Sequence, residues 1–370
     1  MKLRIRARIC ISAVVALLSP LAPTQDSPMR HWELNLAATD ADLSPDDRLL
    51  AVTIETRGSL QKSHKQVVES VELWDYRENR KVLGTQLGSY PKPAATPNAV
   101  RFTADGALLV ASGPTRIHVL DPSTLSSLRI IDPPLRPDSY ISHIETAPAG
   151  HIAAVVANRD GPGVLFAYDL DTGQLLYQSD LWVVTSIAWR PDASQIAVAT
   201  PHLCNHTRNT VQVFGTNPWS HLRTLHARNP TSVAFSAERL YVVESGFCDG
   251  SLFDRHLGLE SFDVRTWHRE RTIFLEHNNV HDSVSFANGR LLADSGELKT
   301  VHDWSDGTTT GFALDTRATI WESDSSSVEF TSHPLATGSQ RGVSGWRLRL
   351  SRTGKMVILA ARHPEVFEIP

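Results

Sequence analysis

Three side chains that could bind a metal lie close together in the middle of the chain. His202, Cys204 and His206 alternate with other residues, and a loop could bring one thiolate and two imidazoles onto zinc or copper. The alternative is a chance cluster, because the chain contains 16 histidines. Cys204 also has a competing role as half of a disulfide. We favour the chance cluster, so no metal and no other cofactor is expected.

A second pair of histidines, His277 and His281, has a spacing that one face of a helix would align. The residues around the pair, Glu-His-Asn-Asn-Val-His-Asp, are typical of a loop instead. We therefore interpret these two histidines as solvated loop residues.

Four polar side chains flank apolar segments and could take part in acid and base chemistry if the fold brought them together. They are Asp42, His143, Glu145 and Asp282. General acid–base catalysis needs such groups within hydrogen-bond reach of a substrate. The alternative is that each is a solvated or turn-capping group beside a strand. The elements that position these residues decide between the two interpretations.

The predicted strands and turns that would position these residues belong to a sequence repeat. A phrase of alternating apolar residues, a Ser, Thr or Arg, a Pro or Ala, an acidic residue or Gly and a second apolar run recurs along the chain. Alternation of period two predicts strands, and Pro-Asp, Asp-Gly and Asn-Gly predict the turns between them. Most phrases are followed by two further apolar stretches. The residues before the turn are Leu43, Phe102, Glu145, Trp189, Phe235, Phe286 and Leu350.

Four strands in each unit of about 45 residues are typical of a propeller blade. The predicted fold is all-β, a seven-bladed β-propeller of four-stranded blades that forms a single domain over residues 31–370. Phe330 competes with Leu350 for the last position before a turn, and we prefer Leu350 because Thr319–Glu322 and Ser327–Phe330 then form the outer pair of blade six. The last blade lacks a fourth strand, which predicts that an N-terminal strand within His31–Leu36 closes it.

Two connections are longer than the repeat needs. Glu55 to Glu69 and Ser295 to Gly311 are rich in polar residues and are expected to be inserted surface loops. Long loops on a rigid frame are where binding concentrates, although they can equally be tolerated insertions.

The N-terminus has the pattern of a secretory signal peptide, which we assign to residues 1–22. Lys2, Arg4, Arg6 and Arg8 precede the apolar run Ile9–Leu18, which is too short to span a bilayer as a helix. An uncleaved anchor is the alternative. Cleavage changes the formal charge from −4 to about −8, which disfavours nucleic acid as a partner. We expect an exported, periplasmic or extracellular monomer without stable membrane insertion.

Export also bears on the cysteines that remain after cleavage, Cys204 and Cys248. Both follow the second strand of neighbouring repeats at about the same position, so we predict a disulfide between them. Two independent thiols, or Cys204 as a metal ligand, are the alternatives.

Several phrases resemble the WD40-like and YVTN-type propeller repeats of bacterial exported proteins. They include Phe102-Thr-Ala-Asp-Gly106, Trp189-Arg-Pro-Asp192, Leu73-Trp-Asp75 and Val155-Val-Ala-Asn158. The resemblance covers nearly the whole mature chain and implies the fold but no activity. The Gly-His start of eukaryotic WD40 blades is absent, and only Trp74-Asp75 supplies their terminal dipeptide. The buried polar network of that family is therefore not carried over.

The favoured function is a binding or scaffold module that recognises a protein, peptide or other ligand, and an enzyme is less favoured. The alternative is a propeller enzyme, similar to a lactonase or lyase, with its site at the central channel. An attached peptidase is not expected, because the chain has no Gly-x-Ser-x-Gly motif. Carboxylates and histidines that converge at the channel mouth would favour an enzyme, whereas apolar loop tips would favour a protein partner.

Overall fold

The computed structural model describes residues 30–36, 38–57, 66–91, 99–158, 163–201, 209–244, 257–275, 284–302, 309–323, 330–341, 347–360 and 363–368. All helical or extended secondary structure in these ranges is β-strand, and the strands form seven four-stranded antiparallel sheets. Six sheets each use four consecutive strands, and we number them first to sixth in chain order. The seventh, the closing sheet, joins the two ends of the described chain.

The first three sheets take their strands from the N-terminal part of the chain. The first sheet contains β2 (Ala38–Leu43), β3 (Leu50–Arg57), β4 (Gln66–Asp75) and β5 (Arg80–Pro91). The second contains β6 (Val100–Phe102), β7 (Leu109–Ser112), β8 (Ile117–Leu120) and β9 (Ser127–Ile131). The third contains β10 (Tyr140–Thr146), β11 (Ile152–Asn158), β12 (Gly163–Asp169) and β13 (Leu175–Leu181).

The remaining sheets follow in the same order. The fourth contains β14 (Ser186–Trp189), β15 (Gln195–Thr200), β16 (Thr210–Thr216) and β17 (Trp219–His226). The fifth contains β18 (Pro230–Phe235), β19 (Arg239–Glu244), β20 (Leu257–Asp263) and β21 (Arg269–Leu275). The sixth contains β22 (Val284–Ala287), β23 (Arg290–His302), β24 (Thr309–Ser323) and β25 (Phe330–Arg341). The closing sheet contains β26 (Arg347–Leu350), β27 (Met356–Ala360), β28 (Glu365–Glu368) and β1 (His31–Glu33).

Apolar side chains fill the space between successive sheets. Val71 and Leu73 of the first sheet pack with Phe102 of the second, and equivalent clusters join the second sheet to the third and each later pair up to the sixth. Leu43 of the first sheet packs with Ile358 of the closing sheet. Because both faces of a strand are covered, these strands are apolar along most of their length. The result is a propeller arrangement of four-stranded blades, as the repeats predict.

The N-terminal strand closes the last sheet, as the sequence predicts. In β1, His31 lies opposite Phe367 and Trp32 opposite Val366 of β28. The ring of His31 stacks on that of Phe367 with centroids 4.6 Å apart, and Leu34, only 1% exposed, packs between the closing and first sheets. Without β1, the edge of β28 would expose unpaired backbone groups.

The turn between the first two strands has a common geometry in five sheets. Its fourth residue has positive φ: Asp47 (56°), Gly106 (72°), Gly150 (71°), Ala193 (58°) and Gly354 (69°). In four of them its amide donates to the carbonyl three residues earlier, at 2.8 to 3.0 Å. Glycine adopts this conformation without the Cβ clash that other residues suffer. The sixth sheet uses an Asn288-Gly289 turn with positive φ at both residues, which is the type I′ geometry.

This geometry predicts opposite effects for two matched substitutions. A Cβ at Gly150 would meet nothing within 4 Å, so Gly150→Ala is expected to lower the free energy of unfolding by about 1 kcal/mol through backbone strain alone. Ala193→Gly removes the same strain and is expected to raise it by up to about 1 kcal/mol, less the added entropy of the unfolded chain. Denaturant titration measures both. Changes of the same sign would contradict this explanation of the turn.

The observed strand ends differ from the prediction in two sheets, since β22 continues one residue past Phe286 to Ala287 and β10 one residue past Glu145 to Thr146. Strands β2, β6, β14, β18 and β26 end on the predicted residues, and Leu350, not Phe330, ends the first strand of the closing sheet. In the third sheet, however, Thr146 lies opposite Ala153 and ends the strand, one residue after Glu145. The turn begins at Ala147, whose N–H donates to the carbonyl of Ile152 at 2.8 Å. Glu145 is therefore one residue farther from the turn than predicted.

The described parts of the two long connections are paired strands and not the loops that we expected, while residues 58–65 and 303–308 lie outside the described residues. Strands β3 and β4 remain paired out to Arg57 opposite Val67, and β23 and β24 remain paired out to His302 opposite Thr309. Extending the hairpin satisfies backbone donors and acceptors that a loop would leave to water. The polar composition that indicated loops is also compatible with long two-stranded ribbons. No segment of the described residues forms a helix that could cross a membrane.

Candidate functional site

The candidate site is built around one equivalent position in the first strand of each sheet, which we call the inner strand. It lies two residues before the turn: Asp42 pairs with Ala51, Arg101 with Val110 and Glu145 with Ala154. In ring order from the closing sheet to the sixth, this position is occupied by Arg349, Asp42, Arg101, Glu145, Ala188, Ala234 and Ser285. Four neighbouring sheets therefore carry charged groups of alternating sign, and the other three carry small uncharged residues.

A cavity of about 1080 Å³ is lined by residues of both of these groups of sheets. The charged residues of this position form one wall, and the small residues form the other. Aromatic residues add apolar surface beside the small ones; they are Trp189, Phe235, Tyr241 and Phe286. The volume is at the upper end of the range for small-molecule sites, which combine apolar walls with a few polar groups.

Arg101 is the centre of the charged wall. Its side chain is only 2% exposed. Nη1 donates to Asp40 and to the carbonyl of Val100, and Nε donates to Glu145 at 3.1 Å. Burial alone would lower the pKa of Arg101, but the nearby carboxylates, Asp40 foremost, outweigh burial and hold it above its ordinary value. Nη2 is buried without a hydrogen-bond partner in the described structure.

Two carboxyl groups of this wall face the cavity. Glu145 accepts from Arg101 and lies 3.3 Å from Nη2 of Arg349, with 28% of its side chain accessible. Asp42 accepts the backbone N–H of Phe102 at 2.9 Å and is partly accessible. Burial raises the pKa of both Asp42 and Glu145, although the charge of Arg101 acts in the opposite direction. Both groups therefore hold a proton more tightly than they would in water.

Arg352, in the turn that follows β26 of the closing sheet, also lines the cavity. Its Nη2 donates to the carbonyl of Phe102 at 2.7 Å and to Oγ1 of Thr146 at 2.9 Å, in the second and third sheets. Both acceptors are uncharged. Among the described residues no carboxylate lies within ion-pair distance of this guanidinium, in contrast to Arg101 and Arg349, although its charge lowers the pKa of Asp42.

Not every polar group around the cavity is available for a ligand. His143 is 7% exposed, and its two ring nitrogens contact Oγ of Ser142 at 2.9 Å and the carbonyl of Thr185 at 2.8 Å. Ser186 and Ser285 accept backbone N–H groups from the inner strand of the next sheet, at 3.2 and 3.1 Å. These side chains hold neighbouring sheets together, as Asp42 also does.

The structure brings together three of the residues selected from the sequence, Asp42, His143 and Glu145. The other residues selected from the sequence lie outside the described residues, so the structure does not test them. They are Asp282, the His202–Cys204–His206 cluster, Cys248 and the pair His277 and His281. Within the described ranges, no group of three or more His, Cys, Asp or Glu side chains could hold a metal ion.

Sequence reasoning missed the arginines of the site. Arg101 and Arg349 lie in inner strands between apolar neighbours, in Val-Arg-Phe and Leu-Arg-Leu. Aligning the seven copies at this one position would have indicated both. Arg352 had no such signal, because a charged residue in a turn is ordinary.

A second group of buried charges lies in the fifth sheet. Glu260 is 3% exposed, and one of its oxygens accepts from Arg269 at 2.9 Å while the other has no partner in the described structure. Glu244, also buried, accepts the backbone N–H of Arg228 at 2.5 Å. Burial, followed by the charge of Glu244, raises the pKa of Glu260 to about 8.

Comparisons with known proteins bear on the fold. No protein-family model matches the sequence, and no curated protein matches it, so the WD40-like or YVTN-type resemblance is not confirmed. Among solved structures, the hydrazine synthase of Kuenenia stuttgartiensis is similar, with a TM-score of 0.51 and 14% identity over 70% of this chain and 72% of that one. At this identity the likeness shows the fold alone, and it supports a β-propeller.

Proposed function

We propose that this protein is a binding propeller whose ligand is a small molecule held in the central channel. The observation that carries the proposal is the division of one ring position into a charged wall and a wall of small residues, with a cavity of about 1080 Å³ between them. A purely structural ring would have no need to concentrate its charges on four neighbouring sheets, because buried charges are costly unless they serve a purpose.

The distribution of polar groups supports binding at this place. Most buried polar groups of the inner strands are already engaged between sheets, whereas Glu145 and Arg352 keep accessible surface toward the cavity. Sites for small ligands have this composition, with mostly apolar walls and a few polar groups that fix orientation.

Filling the channel tests the proposal. Ala188 is half-buried and lines the cavity, so Ala188→Phe is expected to occupy part of it. Thr224→Phe adds a comparable ring to the exposed outer strand β17 and is the matched control. Each variant and the wild type are incubated with a small-molecule extract of the producing cells, separated from unbound material and examined by native mass spectrometry. We expect a bound mass in the wild type and control that is lost in Ala188→Phe.

Two outcomes would overturn the proposal. A bound molecule retained in Ala188→Phe at the wild-type level would place binding outside the channel. A stoichiometric protein partner captured equally by all three proteins, with no small molecule in any, would favour a scaffold. Thermal unfolding of both variants distinguishes a filled channel from a misfolded protein.

A second candidate is a channel enzyme, which one specific observation favours. Asp42 and Glu145 face the same cavity with raised pKa values, and such pairs can supply a general acid and a general base. If the captured molecule is recovered chemically changed by the wild type but unchanged by Glu145→Gln, the protein is an enzyme. Recovery unchanged from both supports binding alone.

The number of blades in the ring and the export of the protein are also proposed. We propose that all seven sheets form one ring of WD40-like blades over residues 31–370, and that residues 1–22 are a signal peptide removed on export. Intact mass of the protein from the exported fraction tests the second point. A mass that includes Met1 to Leu21 would contradict export with cleavage.

A further inference from the structure

We infer that the channel recognises the carboxylate of a singly charged organic anion, with the Arg352 guanidinium as its principal partner and Arg349 beside it. The inference rests on the proposed function, because it names the chemical class of the ligand that the channel takes.

The first observation behind this inference is that Arg352 forms no ion pair within 4 Å among the described residues, although its charge lowers the pKa of Asp42. The side chain is half-buried at the cavity, and in the described part of the chain only Nη2 is used, in bonds to two uncharged oxygens. A guanidinium has five N–H donors, and it loses hydration when it is partly buried without an anion. Carboxylates match its planar fork with two parallel hydrogen bonds. An anion in the channel would therefore complete the interactions of Arg352.

The charges around Arg352 disfavour a cationic ligand. Four guanidinium groups and three carboxyl groups line the cavity, an excess of one formal positive charge; they are Arg101, Arg239, Arg349, Arg352, Asp42, Glu145 and Glu238. Arg101 and Arg349 share the same oxygen of Glu145. A further cation would enter against this positive charge.

The carboxyl groups in turn limit the charge of the anion. Asp42 and Glu145 face the same cavity, and a doubly charged group such as a phosphate monoester would be repelled more strongly than a carboxylate. The opposite wall, with Ala188, Phe235 and Phe286, offers uncharged surface for the rest of the molecule. A carboxylate on an apolar ring or chain fits both walls.

A series of ligands with one ring and different charges tests the inference. Cyclohexanecarboxylate, cyclohexylamine, cyclohexanol and cyclohexyl phosphate are titrated into the full mature chain, with binding followed by ligand-observed NMR. We expect the carboxylate to bind at least about tenfold more tightly than the other three, a difference typical of one charge-assisted bidentate contact. Ala188→Phe is expected to abolish this binding.

Substitutions at Arg352 test whether its guanidinium binds the carboxylate of the ligand. Arg352→Gln is expected to weaken carboxylate binding about tenfold or more, and Arg352→Lys, which keeps the charge but loses the fork, by less. Arg116→Gln is the matched control, because Arg116 forms an exposed ion pair with Asp132. Should Arg352→Gln unfold, the comparison of Arg352→Lys with the control still decides the matter.

The results that would overturn the inference differ from those that would overturn the proposed function. Equal or tighter binding of the amine or the phosphate, unchanged affinity in both Arg352 variants, or no carboxylate binding would end the inference. The channel would remain a binding site if the molecule captured by the wild type and lost in Ala188→Phe were cationic or neutral. Carboxylate binding that survives Ala188→Phe would place it elsewhere and overturn the inference as well.

Discussion

Replacing Arg101 by alanine is expected to lower the free energy of unfolding by about 3–5 kcal/mol, which is the usual cost of removing one partner from a buried ion pair. Arg101 is 2% exposed and bonds both Asp40 and Glu145. Its removal would leave the carboxylate of Asp40, itself only 7% exposed, without a counter-charge. Denaturant unfolding at neutral pH gives the value.

An exposed arginine provides the control for this prediction. Arg116→Ala breaks an ion pair of 2.8 Å in which both side chains are more than half exposed, and it is expected to cost less than about 1 kcal/mol. The double variant Arg101→Ala with Asp40→Asn should recover part of the loss, since the amide carries no charge. Similar losses for Arg101→Ala and Arg116→Ala would show that Arg101 is not the buried centre that the structure describes.

Stability is expected to fall as the pH rises from about 5 to about 9, in large part because of Glu260. The pKa of Glu260 in the folded protein is about 8, raised from 4.5 by burial and by Glu244. A group with a raised pKa contributes its full stability below the pKa of the unfolded chain and loses it as the pH passes through the folded value. Glu260→Gln imitates the protonated form and should remove most of this loss.

Comparison of variants isolates the effect of Glu260 from other titrating groups. Glu78→Gln changes an exposed carboxylate and should leave the wild-type pH dependence unchanged. The contribution of His151 to the stability of the protein also falls with rising pH, because hydrogen bonds to Asp105 and Asp171 raise the pKa of His151. That contribution is common to all three proteins. If Glu260→Gln and wild type lost stability in parallel between pH 5 and 9, the carboxyl of Glu260 would not be protonated in the folded state.

The strands and their order could be predicted because their signals are local. Period-two alternation and the turn residues Pro-Asp, Asp-Gly and Asn-Gly lie within a few residues of each other, and five first strands end where these signals predict. The closing strand also followed from the sequence, since a last unit with three strands leaves an edge that His31–Glu33 can pair. The long ribbons did not, because polar residues suit a solvated hairpin and a loop equally.

The site depended on contacts between distant residues. Asp42, His143 and Glu145 could be named as residues beside inner strands, but no local pattern pairs Arg101 with Asp40, 61 residues away, or Arg349 with Glu145. Glu145 and Arg101 hold the same register position in neighbouring sheets, opposite Ala154 and Val110, and a shift of one residue would turn either side chain to the other face of its sheet. Such a change decides whether Glu145 meets Arg101.

The sequence by itself therefore determined the class of fold, the four-strand unit and the strand that closes the last sheet, because short-range alternation and turn chemistry specify them. Only the tertiary structure decided which side chains share the channel, that the charges occupy four neighbouring sheets, and that Arg352 reaches across to Phe102 and Thr146. These features arise from the packing of successive sheets against one another, which places residues far apart in the chain within hydrogen-bond distance.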